Sequence, residues 1–307
     1  MSETNPTLTA LFTDIADAIR EKIGGIAVIV ADDFPDVIRE RLQAAPPATS
    51  AYLTFSSPSS FTLKVNDTTK HWDGTLEYST DTSTWSTWGG TTTLSSATNG
   101  SDNVLYLRGT GNTVITGDDS NYRWVLTGSN IKCIGNIENL LDYATVESGA
   151  HPTMANYCYY AMFRDCTSLT QAPSLPATTL KSKCYSYMFQ GCTSLTKAPA
   201  LPATTLAINC YYSMFQGCTS LTQAPSLPAT TLKSTCYAYM FQGCTSLKLS
   251  TTQTGEYTVA YRIPTSGTGV TAISALTDML TDTGGTFTGT PEINTTYYLS
   301  NTNTVVG

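Results

Sequence analysis

Apolar residues recur at helical spacing over residues 1–45. In the first part of this segment they fall three and four positions apart, which predicts a helix of about four turns from near Pro6 to Gly24. A second, shorter helix is predicted after a cap at Asp32 or Asp33. The apolar stripes of this helical hairpin contain Leu8, Leu11, Phe12, Ile15, Ile19, Ile23, Phe34, Val37, Ile38 and Leu42.

The predicted hairpin has two interpretations. Two helices of this size bury too little surface to fold alone, so they either pack on their own chain or dock on a partner or on other copies. The sequence "AAPPATS" at 44–50 has the composition of a spacer, which favours docking. We therefore predict that residues 1–45 anchor or oligomerise the protein, with a homotrimer as the first expectation.

Residues 46–130 alternate apolar and polar positions at strand spacing. The segments rich in β-branched and aromatic residues are separated by Gly, Asn, Asp and Ser. Eight such segments are "AYLTF", "FTLKV", "TLEYS", "STWSTW", "TTTLSS", "NVLYLRG", "TVITG" and "YRWVLTG". This pattern predicts a small antiparallel β-sandwich of the immunoglobulin-like type.

Residues 131–250 carry a repeat with a period of 26 residues. The period is set by the first cysteine of each copy, and large apolar residues recur with it as Met, Phe and Leu columns. These first cysteines are Cys158, Cys184, Cys210 and Cys236. A fixed period of this length predicts a solenoid whose stacked copies share one core, and residues 251–307 are predicted to be a degenerate repeat and C-terminal cap.

Each repeat has two cysteines with seven residues between them. That spacing places the two α-carbons too far apart for a disulfide within one repeat. Three interpretations remain: buried thiol ladders, disulfides between neighbouring repeats, and a metal site. The odd total of nine cysteines and the presence of only two histidines favour buried thiols.

The columns that vary between copies predict the exposed edges of the stack. One tyrosine of each repeat lies alternately two and three residues after the first cysteine. These tyrosines are predicted to form a ladder of rings, which either serves only the stack or forms a surface that binds sugar or protein. We predict that the ligand-binding surface includes Tyr160, Tyr187, Tyr212, Tyr239, Gln171, Lys197, Gln223, Lys181, Lys183, Asn209 and Lys233.

The block "MFQGCTSLTKAPALPATTL" resembles the BspA-like leucine-rich repeats over about 120 residues in four copies. The block matches the family's motif, which has an aromatic residue before Gly-Cys, then Ser-Leu and a later Pro. The resemblance implies a right-handed coil with one short parallel strand per repeat and a binding role in adhesins. The additional Pro173, Pro199 and Pro225 are expected to shorten that strand, because proline cannot donate to a β-ladder.

The N-terminal segment resembles the opening of many phage virion and tail-associated proteins. Its pattern I-A-x-A-I-R-x-K-x-G, followed by D-F-x-x-x-I, is matched by Ile15, Ala16, Ala18, Ile19, Arg20, Lys22, Gly24, Asp33, Phe34 and Ile38. The resemblance implies attachment to a virus particle. It agrees with the lack of a visible signal peptide at the start of the sequence, since lysis releases virions without secretion.

The charge pattern argues against nucleic-acid binding. The chain has 16 Lys and Arg against 23 Asp and Glu, for a net charge of −7, and it shows no basic cluster longer than Lys181 with Lys183. No run of about 18 apolar residues predicts a membrane span.

The sequence contains few residues or motifs that indicate a catalytic site. No hydrolase, zinc-protease or calcium-loop motif is present, and "RGTGNT" at 108–113 has the composition of a hairpin turn. Asp118 and Asp119 could in principle serve a glycosidase, but their "TGDDSN" context favours a solvated loop. Among the tryptophans, Trp88 is the best candidate for an exposed sugar platform.

These observations predict a non-enzymatic phage virion protein of the tail-fibre or receptor-binding type. Residues 1–45 would bind other virion proteins, and the repeats would bind a glycan or protein of the host surface, with no cofactor. The alternatives are a leucine-rich-repeat adhesin on a bacterial cell surface and a glycan-degrading enzyme.

Overall fold

Strands form where β-branched or aromatic residues alternate with polar ones. The computed structural model describes residues 52–67, 71–118 and 122–306, which belong to one compact unit, Thr49–Gly307. The predicted helical hairpin at 1–45, with all ten of its apolar interface residues, lies outside the described residues.

In the described residues, nine strands lie before Cys158, the first cysteine of the repeated pairs. They are β1 (Leu53–Ser57), β2 (Thr62–Val65), β3 (Thr75–Ser79), β4 (Ser86–Thr87), β5 (Leu94–Ser95), β6 (Ala97–Asn99), β7 (Asp102–Thr110), β8 (Trp124–Thr127) and β9 (Ile131–Ile134). Every predicted segment contains a strand except "TVITG" at 113–117, which is irregular. The amide of Ile115 in that segment donates instead to the carbonyl of Cys158 at the start of the repeats.

The remaining elements are short. They are α1 (Asn139–Glu147), β10 (Leu169–Gln171), β11 (Gln223–Pro225), β12 (Lys248–Ser250), β13 (Tyr257–Arg262), β14 (Gly284–Gly285), β15 (Thr296–Ser300) and β16 (Thr304–Val306). The helix α1 is kinked at Asp142, whose φ and ψ are −155° and 101°. Its carboxylate accepts hydrogen bonds from the amide of Thr145 and from the amide of Gly111, so it starts the second turn and ties it to the end of β7.

Four separate sheets arise from these strands. The largest has the order β10-β9-β1-β7-β3-β4, with β6 paired to β7, and it is antiparallel except for the β9–β10 pair. The other sheets are β5-β2-β8, β13-β15-β12-β14 and the parallel pair β11-β16. The first sheet therefore begins in the region predicted as a sandwich and ends in the first repeat.

The fold class predicted from the sequence is wrong. The immunoglobulin-like sandwich is not self-contained, because its main sheet incorporates β10 from the repeats. The strands described between 131 and 250 do not join into the continuous parallel sheet that a leucine-rich-repeat solenoid requires. Strand β11 pairs with β16 from the C-terminal region, and neighbouring copies are joined by isolated bridges, Thr179 to Thr205 and Lys197 to Gln223.

The prolines explain this difference. Pro173, Pro199 and Pro225 lie where the repeated strand was expected, and a proline has no amide hydrogen to extend a ladder. Most backbone hydrogen bonds between copies are made in the turns around the cysteines, and only a few, such as that from the Ala198 amide to the Gln223 carbonyl, lie near the expected strand position. The part of the chain that the structure describes is mainly β, and its strands form several small sheets beside a stack of turns.

One apolar core runs through the described residues. Phe163 of the first repeat lies 6.1 Å from both Phe55 of β1 and Trp124 of β8, measured between ring centroids. The strand region and the repeats thus share buried surface. Within the described ranges, no helix has the length and apolar character needed to cross a membrane.

Candidate binding surface on the repeats

The turns around the cysteines carry the hydrogen bonds that join successive copies. The amides of Tyr159, Ala161 and Phe163 donate to carbonyl oxygens 25 residues later, each at 2.9 Å. The next copies repeat this pattern, so that each copy donates in one direction to the copy that follows it. Peptide groups, rather than strands of a sheet, therefore set the spacing of the stack.

A left-handed residue at every fourth position makes these turns possible. In the second copy, Lys183, Tyr187 and Gly191 have φ values of 55°, 58° and 72°. The other copies place residues of positive φ at the same positions: Tyr157, Ala161, Asp165, Asn209, Ser213, Gly217, Thr235, Tyr239 and Gly243. Non-glycine residues rarely adopt this conformation, and here the inter-copy hydrogen bonds hold it.

The stack has a fifth unit that lacks both cysteines. The amide of Tyr237 donates to the carbonyl of Ala275 at 3.0 Å and that of Phe241 to Met279 at 2.9 Å, as in the earlier copies. Left-handed residues recur at Ser274, Asp278 and Asp282. This unit comes 39 positions after Cys236, instead of 26, because strand β13 and its flanking loops are inserted.

Both ends of the stack are capped. At the first copy, the amides of Ile115 and Trp124 donate to the carbonyls of Cys158 and Met162, each at 2.8 Å. At the fifth unit, the amides that would donate to a following copy donate to a neighbouring loop instead. That of Leu280 donates to the Gly289 carbonyl, and those of Asp278 and Asp282 donate to the hydroxyls of Thr290 and Thr288. Capping removes the exposed polar edge that would otherwise recruit another chain.

Two aromatic ladders fill the interior of the turns. The tyrosine ladder is Tyr159, Tyr185, Tyr211 and Tyr237, and the phenylalanine ladder is Phe163, Phe189, Phe215 and Phe241. Neighbouring rings in these ladders are nearly parallel, with interplanar angles of 4–11° and centroid distances of 5.6–5.8 Å. Identical residues in register therefore stack without crowding at this spacing.

All nine cysteines are buried and free, which confirms the interpretation as thiol ladders. The second cysteine of each copy has a defined partner: the thiol of Cys166 donates to the carbonyl of Trp124, and those of the later copies donate to the carbonyl of a phenylalanine in the preceding copy. The Sγ atoms of Cys192 and Cys218 lie 3.1 Å from the carbonyl oxygens of Phe163 and Phe189. Burial raises the pKa of the Cys184 and Cys244 thiols to about 12.

The shifting tyrosines form a third, outer ladder, which we define as Tyr160, Tyr187, Tyr212 and Tyr239. Its neighbouring rings lie 5.3–5.5 Å apart and are edge-to-face, with interplanar angles of 65–80°. Tyr187, Tyr212 and Tyr239 are half-buried, whereas Tyr160 is only 8% exposed. Burial raises the pKa of Tyr187 well above its usual value, so its hydroxyl stays protonated and can donate.

The residues just before the first cysteine of each copy form an edge beside the outer ladder. Tyr157 in this segment contacts Tyr160 at 5.6 Å, and the ammonium of Lys183 lies 5.1 Å over the Tyr157 ring. Lys181 and Lys233 are exposed, and Asn209 is half-buried with its side-chain oxygen accepting a hydrogen bond from Thr235. We call residues 181–183, 207–209 and 233–235, together with 272–274 at the same place in the fifth unit, the lysine edge.

The column of Gln171, Lys197 and Gln223 belongs to a different place. Gln171 ends β10, and it lines a depression of about 470 Å³ together with Lys197 and Lys132 of β9. None of the outer-ladder tyrosines lines it. The sequence grouped this column with the tyrosines because both vary between copies, but the structure places Gln171 and Lys197 at a separate depression and Gln223 at the start of β11.

Trp88 is buried, so its predicted role as an exposed sugar platform is wrong. It is 1% exposed and packs between Trp72 and Trp124, at centroid distances of 5.2 and 5.4 Å. The half-buried tryptophan is Trp85, which the guanidinium of Arg108 covers at 4.0 Å. Among the paired carboxylates considered for catalysis, Asp118 is exposed and Asp119 lies outside the described residues.

The sequence interpretation missed Arg108. Its guanidinium also lies 4.5 Å over the ring of Tyr143, and its Nε donates to the carboxylate of Glu77 at 2.8 Å. Nothing in the local sequence pairs residues so far apart along the chain. In the ranges that the structure describes, no three His, Cys, Asp or Glu residues are close enough to hold a metal ion together.

Comparison with known proteins adds no relative. No protein-family model, curated protein or solved structure matches this chain.

Proposed function

We propose that this chain is a non-enzymatic virion protein of a phage that binds the host surface. Its repeats would carry the receptor-binding surface, and residues 1–45 would attach it to other virion proteins. The protein would act as a homo-oligomer, with a trimer as the first expectation, in the manner of a tail fibre or another receptor-binding component.

The observation that carries this proposal is the periodic outer face of a rigid stack. Five turn units are joined by regular backbone hydrogen bonds and capped at both ends. They hold the outer tyrosine ladder and the lysine edge in fixed positions. A surface that is ordered before binding loses little conformational entropy when a ligand arrives, which suits an adhesin better than an enzyme that must close on a substrate.

The attachment role rests on the sequence of residues 1–45. Its apolar stripes are too small to form a core of their own, and its pattern resembles the opening segment of virion and tail-associated proteins. Binding to a particle would supply the missing apolar partner.

Purified phage particles provide the test. The protein should be detected in intact particles by mass spectrometry, and a chain that lacks residues 1–45 should be absent from them while keeping its fold. As a matched control, a chain with Leu8, Phe12 and Ile19 unchanged but with the spacer 44–50 replaced by a Gly-Ser linker of equal length should still be incorporated. Incorporation of the truncated chain would contradict the attachment role.

Absence of the protein from particles would overturn the proposal as a whole. If the chain were instead found on bacterial cells, the alternative of a cell-surface adhesin would be favoured. Chain number is measured separately, by sedimentation of the full chain and of the truncated chain, and a monomeric full chain would contradict the oligomer.

A further inference from the structure

The repeats alternate between two types. Residues 171–196 and 223–248 differ at only three positions, whereas 171–196 and the intervening 197–222 differ at seven. The true period of the sequence is thus two turn units. A feature that returns only in every second unit is unexpected if the repeats serve nothing but a uniform stack.

Three of the seven differing positions, 181–183, lie on the lysine edge. Lys181 and Lys233 are two units apart and exposed, and in the intervening and final units alanines, Ala207 and Ala272, take the same position. At the next position, the units with lysine have serine, and the units with alanine have isoleucine. Ile208 and Ile273 are 53% and 83% exposed, which is unusual for such large apolar side chains.

The outer ladder alternates in the same phase. The tyrosine lies two residues after the first cysteine in Tyr160 and Tyr212, and three residues after it in Tyr187 and Tyr239. The vacated positions hold small buried residues: Ala161, Ser186, Ser213 and Ala238. Successive rings are therefore turned edge-to-face, and the same position on the turn returns only in every second unit.

Packing does not require this alternation. The interior tyrosine and phenylalanine ladders keep one position in every unit and stack nearly parallel at 5.6–5.8 Å. The outer ladder has almost the same spacing and could have stacked in the same way. Its alternation, together with that of the lysines and isoleucines, has to be explained at the surface.

The geometry points to a linear acidic polysaccharide with a disaccharide repeat as the ligand of this edge. This inference rests on the proposed function and names the chemical class of its receptor. One sugar would lie on each turn unit, since the centroid spacing of 5.3–5.5 Å is close to the length by which an extended glycan advances per sugar. Adjacent sugars would alternate in charge and in orientation, as the units do.

Charge and shape complementarity support this class. Lys181 and Lys233 would meet a carboxylate on every second sugar. Ile208 and Ile273 would meet the intervening sugar, whose apolar group is the methyl of an N-acetyl substituent. Half-buried tyrosines present both a ring and a hydroxyl, which fits the apolar face and polar rim of a sugar.

Binding of the full chain to fluorescently labelled oligosaccharides tests the inference. Hyaluronan oligosaccharides alternate a uronic acid with an N-acetylated sugar, polygalacturonate carries an acid on every sugar, and cello-oligosaccharides carry none. We expect the hyaluronan probe to bind about tenfold more tightly than either of the others, measured by fluorescence polarisation. Equal binding of all three, or binding only of the neutral probe, would overturn the inference.

A charge-conserving double variant separates spacing from net charge. Lys233→Ala with Ala207→Lys moves one positive charge by a single unit, into the unit next to that of Lys181 and Lys183, and leaves the net charge unchanged. We expect the preference for hyaluronan over polygalacturonate to fall about tenfold. Lys197→Ala is the matched control, because Lys197 lies at the separate depression, and it should leave the preference unchanged.

A second variant changes the phase of one ring. Tyr212→Ser with Ser213→Tyr conserves composition and places the tyrosine at a left-handed position that Tyr187 and Tyr239 already adopt at φ values of 58°. Its thermal unfolding should match that of the parent, while the affinity for hyaluronan falls about tenfold. An unchanged preference in the first double variant together with an unchanged affinity in the second would overturn the inference. If the protein is found in particles but binds none of the glycans, this inference is overturned and the proposed virion role is unaffected.

Discussion

The Sγ atom of Cys218 lies 3.1 Å from the carbonyl oxygen of Phe189, which is 29 residues earlier and one turn unit away. The same contact links Cys192 to Phe163 at 3.1 Å and Cys244 to Phe215 at 3.0 Å. The second cysteine of each repeat is therefore more than a small apolar filler, because its thiol supplies a hydrogen bond that an alanine or valine could not.

Loss of this thiol should destabilise the stack. Cys218→Ala removes the hydrogen bond and leaves a small buried cavity, and we expect the free energy of unfolding to fall by about 1–3 kcal/mol. Chemical denaturation monitored by circular dichroism measures the change. Thr219→Ala is the control, since Thr219 is the exposed neighbour, and it should stay within about 0.5 kcal/mol. Equal effects of the two substitutions would contradict the role of the thiol.

The cysteines should be inert in the native protein. All nine are buried, and burial raises the pKa of Cys166 to about 12 and that of Cys236 to about 11, so the nucleophilic thiolate is absent near neutral pH. A thiol-reactive chromogenic reagent at pH 8 should modify none of them in native protein and all nine after unfolding in denaturant. Rapid labelling of the native chain, or fewer than nine thiols after unfolding, would count against free buried ladders.

Two tyrosines of the interior ladder should respond oppositely to loss of the hydroxyl. The hydroxyl of Tyr159 donates to the carbonyl of Ile137 at 3.2 Å, whereas that of Tyr185 is buried without a hydrogen-bond partner among the described residues. We expect Tyr159→Phe to cost about 1 kcal/mol and Tyr185→Phe to be neutral or stabilising by a similar amount. Paired denaturation curves would measure both, and a clear loss of stability in Tyr185→Phe would contradict this expectation.

The C-terminal cap should protect the last unit from association. Thr288→Val with Thr290→Val removes the hydroxyls that accept hydrogen bonds from the amides of Asp282 and Asp278 while keeping side-chain shape. We expect a loss of about 2 kcal/mol and a greater tendency to form end-to-end assemblies, because unpaired amides template another chain. Light scattering and denaturation measure the two effects.

Thr286→Val tests whether the cap effect is specific. Thr286 is an exposed threonine near the same loop, and its backbone amide donates to Leu249 independently of its side chain. This substitution should change neither stability nor scattering. A double cap variant that behaved like Thr286→Val would show that the hydroxyls do not cap the stack.

The buried carboxyl of Glu138 should make stability depend on pH. Its side chain is 2% exposed and its Oε2 lies 2.8 Å from Nδ1 of His151, and burial raises the pKa of Glu138 above its usual 4.5 despite that contact. A raised carboxyl pKa favours the protonated form in the folded state. The resulting stability is fully present below pH 4.5 and is lost as pH rises through the raised folded-state pKa.

Glu138→Gln should abolish this dependence. Denaturation midpoints of the parent should fall relative to those of the variant as pH rises from 4.5, whereas Glu147→Gln, at an exposed position at the end of α1, should follow the parent. Parallel pH curves for the parent and Glu138→Gln would contradict the assignment.

Much of the local structure could be predicted from the sequence. Alternating residues predicted most of the strands before residue 130, and identity between copies predicted the Met, Phe, Tyr and Cys columns that fill the core. Neither pattern identifies which backbone groups pair. The large sheet crosses from β9 into β10, and the copies are joined through left-handed turns, because pairing depends on three-dimensional proximity and on prolines that block a ladder.

For the candidate surface too, some properties follow from the sequence and others only from the tertiary structure. The sequence by itself determined the 26-residue period, the burial of identical columns and the alternation of the outer tyrosines, since each is a property of spacing along the chain. Only the tertiary structure decided that Trp88 is buried and Trp85 is not, that Gln171 and Lys197 share a depression without tyrosines, and that Arg108 stacks on Trp85 and Tyr143. Exposure and contact between residues distant in sequence are set by how the elements pack, and no local pattern records that packing.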